Sequence, residues 1–411
     1  MSDCPECTPR NLSRRTFLKN GALAMVGAAL SPGFLARAVE AAPDARGRVL
    51  VVIFQRGAVD GLSMVVPHAA PEYYKLRKGI AIPREQVLDL DGYFGLHPSL
   101  APFKPLFDRR TLAIVQASGS PDNTRSHFDA QDYMEAAAPG NKSVHDGWLN
   151  RYMGTAPNKN AFRAVSITAN LPRSLSGMQP ALAIPSVRSF GVRGGKSAER
   201  GFEAMYSQSA SDVLHGTGKE SFKAVETLRK RLSGPYQPAN GANYPRGNFG
   251  QQMQQVAQLI KADLGLEIAA AEVGGWDTHA NQRGPLAQRL EEFAQSVAAL
   301  HQDLGDRMQD VLIITMSEFG RKLEENGSGG TDHGHGNCNF VIGGRVRGGR
   351  IYGQWPGLAP GQLFEGRDLA VTTDFRDVFG EAVVRFLQCR SASNVFPGYA
   401  LLPNRFRGYL A

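Results

Sequence analysis

Three short stretches of this sequence concentrate carboxylate and imidazole side chains beside glycines. Their acidic and histidine residues are Asp332, His333 and His335 in residues 331–337, Asp277 and His279 in residues 276–279, and Glu318 in residues 317–321. Imidazole nitrogens and carboxylate oxygens are the usual protein ligands of zinc and of similar divalent ions, and such ions support hydrolysis. The three stretches therefore predict a hydrolytic, metal-binding site, provided that the fold brings them together.

Two of the stretches follow apolar runs that predict buried strands. Asp277 comes after the run at 265–273, and Glu318 comes after the run at 311–315. The third stretch stands just before an apolar run at 340–342. Open α/β sheets gather their ligands at the carboxyl ends of the strands. We therefore expect these acids and histidines at one edge of a sheet.

Asp60 adds a carboxylate in a glycine-flanked loop after the apolar run at 48–54. This position suits a metal ligand. The alternative is an aspartate that accepts hydrogen bonds from its own turn. For Asp60 taken alone, the pattern favours the turn.

Arg125, Ser126 and His127 stand where a polar loop leads into a predicted helix, after a predicted strand at 111–116. Free N–H groups and the helix dipole favour an anion at such an end, and Arg125 could clamp one with two hydrogen bonds. Beside a metal ion, the hydroxyl of Ser126 could be a nucleophile. Alternatively, Ser126 only caps the helix.

The elements that must position these residues alternate along the chain. Predicted strands cover 48–54, 111–116, 264–273, 311–315 and 339–343, and predicted helices cover 250–263, 285–308 and 375–389. Alternation of this kind predicts an α/β fold with a doubly wound, mostly parallel sheet and helices on both faces. We expect one domain over residues 42–411, with a loop-rich insertion around 170–250.

Residues 1–41 have the pattern of a twin-arginine signal peptide. Arg14 and Arg15 precede a small-residue apolar run at 21–30, which Pro32 ends. Such a signal is read by the twin-arginine translocase and then removed. The sequence thus predicts a periplasmic or extracellular protein whose mature part has no transmembrane span.

Composition excludes several classes. The net charge is +8, but no dense Lys/Arg stripe with interleaved aromatics is present, so nucleic acid is not an expected partner. A mildly basic chain suits a small anionic substrate. The body shows no dinucleotide-binding glycine motif after a strand and has too few cysteines for an iron–sulfur cluster. Whether Cys338 and Cys389 form a disulfide stays open.

Five segments together resemble the twin-arginine-exported family called domain of unknown function 1501. They are residues 56–62, 125–131, 275–279, 317–321 and 330–334. That family is similar to the alkaline phosphatase and sulfatase superfamily, whose enzymes usually bind two zinc ions or another divalent metal. The resemblance implies an alkaline-phosphatase-like fold and a site with one or two divalent ions, zinc being one candidate.

The resemblance also implies roles for single residues. By position, Asp60 looks like a first metal ligand and Ser126 like the nucleophile. Asp277 and His279 look like ligands of one metal, and His333 or His335 looks like the late histidine ligand. The superfamily commonly has Asp-His where this chain has Ser317 and Glu318. A glutamate can still bind a hard or borderline cation.

Our leading hypothesis is an exported metal-dependent hydrolase of phosphate or sulfate esters. Its expected metal ligands are Asp60, Asp277, His279, Glu318, Asp332, His333 and His335, and its expected catalytic residues are Ser126, Arg125 and His127. The alternative is a non-catalytic binding or assembly protein of the cell envelope on the same fold. Glu318 in place of a histidine motivates that alternative.

Overall fold

The computed structural model describes residues 47–187 without 157, 159 and 161, and residues 232 and 235–410. The predicted signal peptide at 1–41 lies outside the described residues, and so does much of the predicted insertion. Among the residues that are described, no helix combines the length and the apolar character needed to cross a membrane.

The described part of the chain alternates strands and helices, as the sequence predicts. The strands are β1 Val49–Gln55, β2 Val65–Val66, β3 Leu88–Asp89, β4 Gly95–Leu96, β5 Leu112–Gly119, β6 Ala164–Ser166, β7 Leu182–Ala183, β8 Ile268–Val273, β9 Val311–Met316, β10 Asn337–Gly343, β11 Arg350–Tyr352 and β12 Thr373–Asp374. The α-helices are α1 Gly61–Met64, α2 Pro71–Leu76, α3 Lys104–Asp108, α4 His127–Ala136, α5 Trp148–Gly154, α6 Asn248–Lys261, α7 Arg283–Leu304 and α8 Phe375–Glu381.

Nine of these strands form one mixed sheet in the order β11-β5-β10-β9-β1-β8-β6-β7, with β12 also paired to β5. β1 is parallel to β8 and β9, and β6 is parallel to β7 and β8. β11 and β12 are parallel to β5. β10 is antiparallel to both of its neighbours, β5 and β9, so it alone runs against the rest. The predicted mostly parallel sheet is confirmed.

Helices cover both faces of this sheet. Alternate residues of β1, such as Val51, pack into a core shared with α6 and α7, whereas Val52 and its equivalents pack into a core shared with α5 and α8. Every residue of β1 is buried. A strand covered on both faces needs apolar residues at successive positions, which explains the uninterrupted run.

The reversed direction of β10 decides where the loops meet. Because it runs opposite to β9, its amino end lies beside the carboxyl ends of β5 and β9. The loops that follow β1, β5 and β8, and the loop at 317–336 that joins β9 to β10, therefore share one edge of the sheet. The stretches that carry the predicted site residues lie in these four loops or directly after them.

Two cysteines, Cys338 and Cys389, follow the predicted leader. Cys338 is buried in β10, Cys389 is partly buried, and both are free thiols. The structure therefore contains no disulfide between these two residues.

Candidate metal centre

Three imidazoles and one carboxylate converge at this edge. The Nε2 atom of His333 lies 3.0 Å from Nε2 of His127 and 3.0 Å from Nε2 of His279. One oxygen of Asp277 lies 3.0 Å from Nε2 of His279 and 3.3 Å from that of His333, and its other oxygen lies 3.5 Å from Nε2 of His127. We call these four residues the histidine cluster. They come from the first turn of α4, the loop after β8 and the loop before β10.

A hydrogen bond at the far side of the ring holds two of these imidazoles in orientation. His127 donates from Nδ1 to a Glu318 oxygen over 2.8 Å, and His333 donates from Nδ1 to the carbonyl oxygen of Arg125 over 2.8 Å. The third, His279, has Nδ1 3.5 Å from an oxygen of Asp332. Partners of this kind behind the ring are typical of histidines that bind metal ions.

These partners determine which nitrogen carries hydrogen. A carbonyl oxygen only accepts, so Nδ1 of His333 is protonated and Nε2 of the neutral ring carries a lone pair. The same assignment follows for His127 beside Glu318. When both rings are neutral, the two Nε2 lone pairs face each other at 3.0 Å. These lone pairs repel each other unless a cation lies between them. A proton can join only two of the acceptor atoms in a hydrogen bond, whereas a metal ion can bind all three imidazoles and Asp277 together.

The spacing of the cluster fits a small divalent ion. Zinc–nitrogen bonds of about 2.0–2.1 Å in a tetrahedron place neighbouring ligand atoms about 3.3 Å apart, and the ligand atoms of His127, Asp277 and His333 all lie within 4.8 Å of one another. About a quarter of the His127 and His333 side chains and nearly half of Asp277 and His279 are exposed. Solvent therefore reaches the cluster, as it does at catalytic rather than structural zinc sites.

Arg321 fixes the charge and position of Asp277. Its fully buried guanidinium contacts the carboxylate at 2.5 Å and also donates to the carbonyl oxygens of Ala58 and Thr331. Burial by itself raises the pKa of Asp277, but the hydrogen bond and charge of Arg321 lower it below the usual value. The carboxylate is therefore ionised at neutral pH. Arg321 is not among the predicted site residues, although it is the cation of the 317–321 stretch.

Glu318 lies behind the cluster and is completely buried. Its Oε1 accepts hydrogen bonds from the backbone N–H of Gly57, from Gln131 and from His127 at 2.8–2.9 Å. Burial raises the pKa of Glu318, but these bonds, that of His127 first, leave it below the usual value. The hydrogen bond to Glu318 in turn raises the pKa of His127. Glu318, expected as a metal ligand, thus acts on the cluster through His127.

Two glycines permit the close approach of the loops that carry the cluster. Gly57 has a φ of +112°, and a Cβ added there would lie 2.9 Å from the backbone nitrogen of Asp277. A Cβ on Gly330 would lie 2.4 Å from the carbonyl carbon of His279. A larger residue at either position would push the β8 loop, and with it two residues of the cluster, out of place.

Asp60 does not join the histidine cluster but forms a second, buried network. One of its oxygens accepts hydrogen bonds from Ser63 at 2.7 Å, Arg77 at 2.6 Å and Gln282 at 2.6 Å. Burial raises the pKa of Asp60, and the charge and hydrogen bond of Arg77 more than offset this, so that the pKa is lowered. We call Asp60, Ser63, Arg77 and Gln282 the Asp60 network.

The Asp60 network supports the cluster from below. Gln282 accepts hydrogen bonds from the hydroxyl groups of Thr278 at 3.0 Å and Thr331 at 2.8 Å. Thr278 lies between Asp277 and His279 in the chain, and Thr331 lies two residues before His333. The network therefore ties together the two loops that carry three of the four cluster residues.

The structure also places the other predicted site residues. The guanidinium of Arg125 is held by two carboxylates, those of Asp368 at 2.7 Å and Glu365 at 2.6 Å. The backbone carbonyl oxygen of Arg125 orients His333. His335 is buried with its ring stacked on Phe364, with 4.1 Å between ring centroids, and it does not contribute to the cluster.

Ser126 is the N-cap residue of α4 and is exposed, yet its side chain makes no capping hydrogen bond. The capping role that the sequence left open is therefore not carried by the hydroxyl group. The role of nucleophile stays a prediction.

The model of a family described as "Protein of unknown function (DUF1501)" matches residues 112–392. Among curated proteins, none matches the chain.

Solved structures with some likeness include three proteins. They are the lipoteichoic acid synthase LtaP of Listeria monocytogenes (8% identity, TM-score 0.33, 74% of this chain and 67% of that one), the PsFucS1 sulfatase of Pseudoalteromonas sp. (12%, 0.35, 87% and 72%) and the alkaline phosphatase of Thermus thermophilus (15%, 0.30, 68% and 61%). At TM-scores below 0.5, these likenesses carry no weight for the activity of the chain.

Proposed function

This chain belongs to the DUF1501 family of proteins of unknown function, so its activity has to be argued from the site, and we propose that it is an exported, metal-dependent hydrolase of phosphate or sulfate esters. The observation that carries the proposal is the convergence of three Nε2 atoms and the Asp277 carboxylate within 3.0–3.5 Å. Such a group of lone pairs, partly open to solvent, is costly to maintain without a cation.

The residues that would hold the ion are His127, Asp277, His279 and His333. Three nitrogen ligands and one oxygen ligand favour zinc among the common divalent ions. When bound, such an ion lowers the pKa of a water or hydroxyl group and stabilises charge on a transferring phosphoryl or sulfuryl group. One such cluster is found among the described residues, which supports one ion rather than two.

The chain's own residues prepare this site. Glu318 and the Arg125 carbonyl hold two imidazoles in orientation, and Arg321 keeps Asp277 ionised and in place. We assign Ser126 as the nucleophile because it is exposed, uncapped and adjacent to His127. The free N–H groups in the first turn of α4 would stabilise an anionic group near it.

A metal analysis joined to an ester panel tests the proposal. Purified mature protein should contain about one equivalent of divalent metal and hydrolyse an aryl phosphate or an aryl sulfate. Asp277→Ala should lose the metal and reduce kcat/KM at least about 100-fold, because it removes a ligand. Asp306→Ala, an exposed aspartate before β9, is the matched control and should keep both. If wild-type protein supplied with a divalent metal neither binds it nor hydrolyses the esters faster than Asp277→Ala does, the hydrolase proposal is wrong.

Ser126 can be tested separately. Ser126→Ala should abolish turnover while leaving the metal content unchanged, since the serine is not in the cluster. If Ser126→Ala keeps most of the activity, the nucleophile is a water molecule instead.

We also propose export by the twin-arginine translocase to the periplasm or beyond. The support is the pair Arg14 and Arg15 before the apolar run at 21–30. Replacing both arginines with lysine should leave the full-length protein inside the cell, as judged by fractionation and mass. Normal export of that variant would contradict this part of the proposal.

A non-catalytic binding or assembly protein is the second candidate. It is favoured by Arg125, whose guanidinium is taken up by Asp368 and Glu365 and so is not directed at a substrate oxygen. This candidate predicts bound metal, no turnover of any ester in the panel, and a partner protein recovered by pull-down. Turnover that Asp277→Ala abolishes would exclude it.

A further inference from the structure

Most basic side chains around the histidine cluster are already neutralised by close carboxylates. Arg321 lies 2.5 Å from Asp277, and Arg125 lies 2.6–2.7 Å from Glu365 and Asp368. Arg56, Lys322 and Arg367 are paired in the same way at 2.7–3.0 Å. A side chain so paired has to give up its partner before it can bind a substrate anion.

Arg289, on α7, is different. Its guanidinium lies against the exposed backbone of Gly275, two residues before Asp277. Gly275 has a φ of +85°, and a Cβ there would be 2.7 Å from Nη2 and 3.0 Å from Nε and Cζ of Arg289. The glycine thus leaves the space that the guanidinium fills beside the loop that carries the cluster.

The charge of Arg289 is weakly compensated. In the described part of the chain, its carboxylate partner is Glu292, at 3.9 Å, and 41% of the Arg289 side chain is exposed. An exposed pair at this distance contributes little. Glu292 is also occupied by the backbone N–H of Phe249, at 3.3 Å. Arg289 therefore presents an available guanidinium next to the site.

We propose that Arg289 binds a second anionic group of the substrate. Arg289 contacts Gly275, and the two residues from Gly275 to Asp277 span about 7 Å of extended chain. The preferred substrate is therefore an ester that carries another carboxylate, phosphate or sulfate on the order of 10 Å from the reacting group. A guanidinium recognises such groups through paired N–H···O bonds. This inference rests on the proposed hydrolase function and assigns Arg289 to substrate selection rather than to the chemical step.

Matched peptide esters test the inference. The probes are a tyrosine phosphate or sulfate tripeptide flanked by glutamates and the same tripeptide flanked by glutamines. Arg289→Ala should raise KM for the glutamate peptide about tenfold, leave its kcat unchanged and leave the glutamine peptide within about twofold. Arg283→Ala, at the exposed first residue of α7, is the control and should change neither. Equal effects of Arg289→Ala on both peptides would overturn the inference.

Binding separates this inference from the proposed function. If the wild-type protein hydrolyses neither peptide, the hydrolase proposal fails, and the fluorescence anisotropy of the two labelled peptides then decides about Arg289. Tighter binding of the glutamate peptide that is lost in Arg289→Ala and kept in Arg283→Ala supports the second anion site. Equal binding of the two peptides to wild-type protein contradicts it.

Discussion

The histidine cluster and the Asp60 network lie at the same sheet edge and each contains an aspartate that follows a buried strand, but they differ in how their polar groups are satisfied. In the Asp60 network, a carboxylate with no exposure meets a guanidinium with no exposure at 2.6 Å. In the histidine cluster, acceptor atoms face one another at 3.0–3.5 Å and are partly open to solvent. The Asp60 carboxylate has a cationic partner and accepts hydrogen bonds on Oδ2, although its Oδ1 is buried without a hydrogen-bond partner among the described residues. The facing acceptor atoms of the histidine cluster instead favour a bound cation.

This difference shows why residue type and position were not enough to predict which carboxylates join the histidine cluster. Asp60 and Asp277 both follow a buried parallel strand. Arg77 and Gln282 turn Asp60 into a structural anchor, whereas the neighbours of Asp277 are imidazoles as well as Arg321. The buried Asp60 network should therefore govern stability, and the partly exposed histidine cluster should govern metal binding.

Removing Arg77, the charged partner of Asp60, should have the largest effect, which is a loss of stability. Arg77→Met leaves the buried carboxylate of Asp60 with hydrogen bonds from Ser63 and Gln282 but without its cationic partner. We expect a loss of about 3–5 kcal/mol in the free energy of unfolding. Urea-induced unfolding of metal-free protein measures it. Lys104→Met, which removes a surface pair with Asp108, is the control and should cost less than about 1 kcal/mol. A similarly small loss for Arg77→Met would erase the contrast between the Asp60 network and the histidine cluster.

Removing His333, a central residue of the histidine cluster, should lower metal affinity instead of stability. His333→Ala should weaken metal binding at least about 100-fold, about 3 kcal/mol, while the stability of the metal-free protein changes by less than about 1 kcal/mol. Competition with a chromophoric chelator gives the affinity. His335→Ala should show the reverse, since His335 is buried on Phe364 and outside the cluster. Equal metal affinity in both variants would show that the cluster is not the binding site.

Replacing Glu318, which lies behind the histidine cluster, should have an effect of intermediate size on metal affinity. Glu318→Gln keeps the volume but removes the charge that orients His127, and we expect metal affinity to fall about 10- to 100-fold. Glu365→Gln, which alters a more exposed carboxylate paired with Arg125, serves as the control. An unchanged affinity in Glu318→Gln would mean that the orientation of His127 does not depend on this hydrogen bond.

The smallest expected effect is on the acid dependence of stability, to which the Asp60 network contributes. The pKa of Asp60 is lowered in the folded protein, so its contribution to stability is present above the unfolded pKa of about 3.9 and is lost as pH falls through the folded pKa. One proton corresponds to at most about 1.4 kcal/mol per pH unit. The double variant Asp60→Asn/Arg77→Met should lack this part of the acid dependence. Identical pH slopes in wild-type and double-variant protein, measured by urea unfolding below pH 4, would contradict it.

Local patterns were sufficient for most of the fold. The apolar run at 311–315 corresponds to β9, and the amphipathic pattern at 285–308 corresponds to α7 at Arg283–Leu304. The strand predicted at 264–273 begins only at Ile268, because a turn at Asp263 and Gly265, both with positive φ, separates it from α6. The reversal of β10 has no local signal, since a buried strand has the same composition in either direction.

The sequence by itself determined the alternating elements, the doubly wound class and the loops in which acids and histidines occur, because burial and periodicity act over a few residues. Only the tertiary structure decided that Asp277, His279 and His333 meet His127 while Asp60 and Glu318 stand behind them. Those assignments depend on contacts such as the one between His127 and Glu318, 191 residues apart in the chain. Direction and partner at that separation follow from the packing of the whole sheet, which no short stretch of sequence encodes.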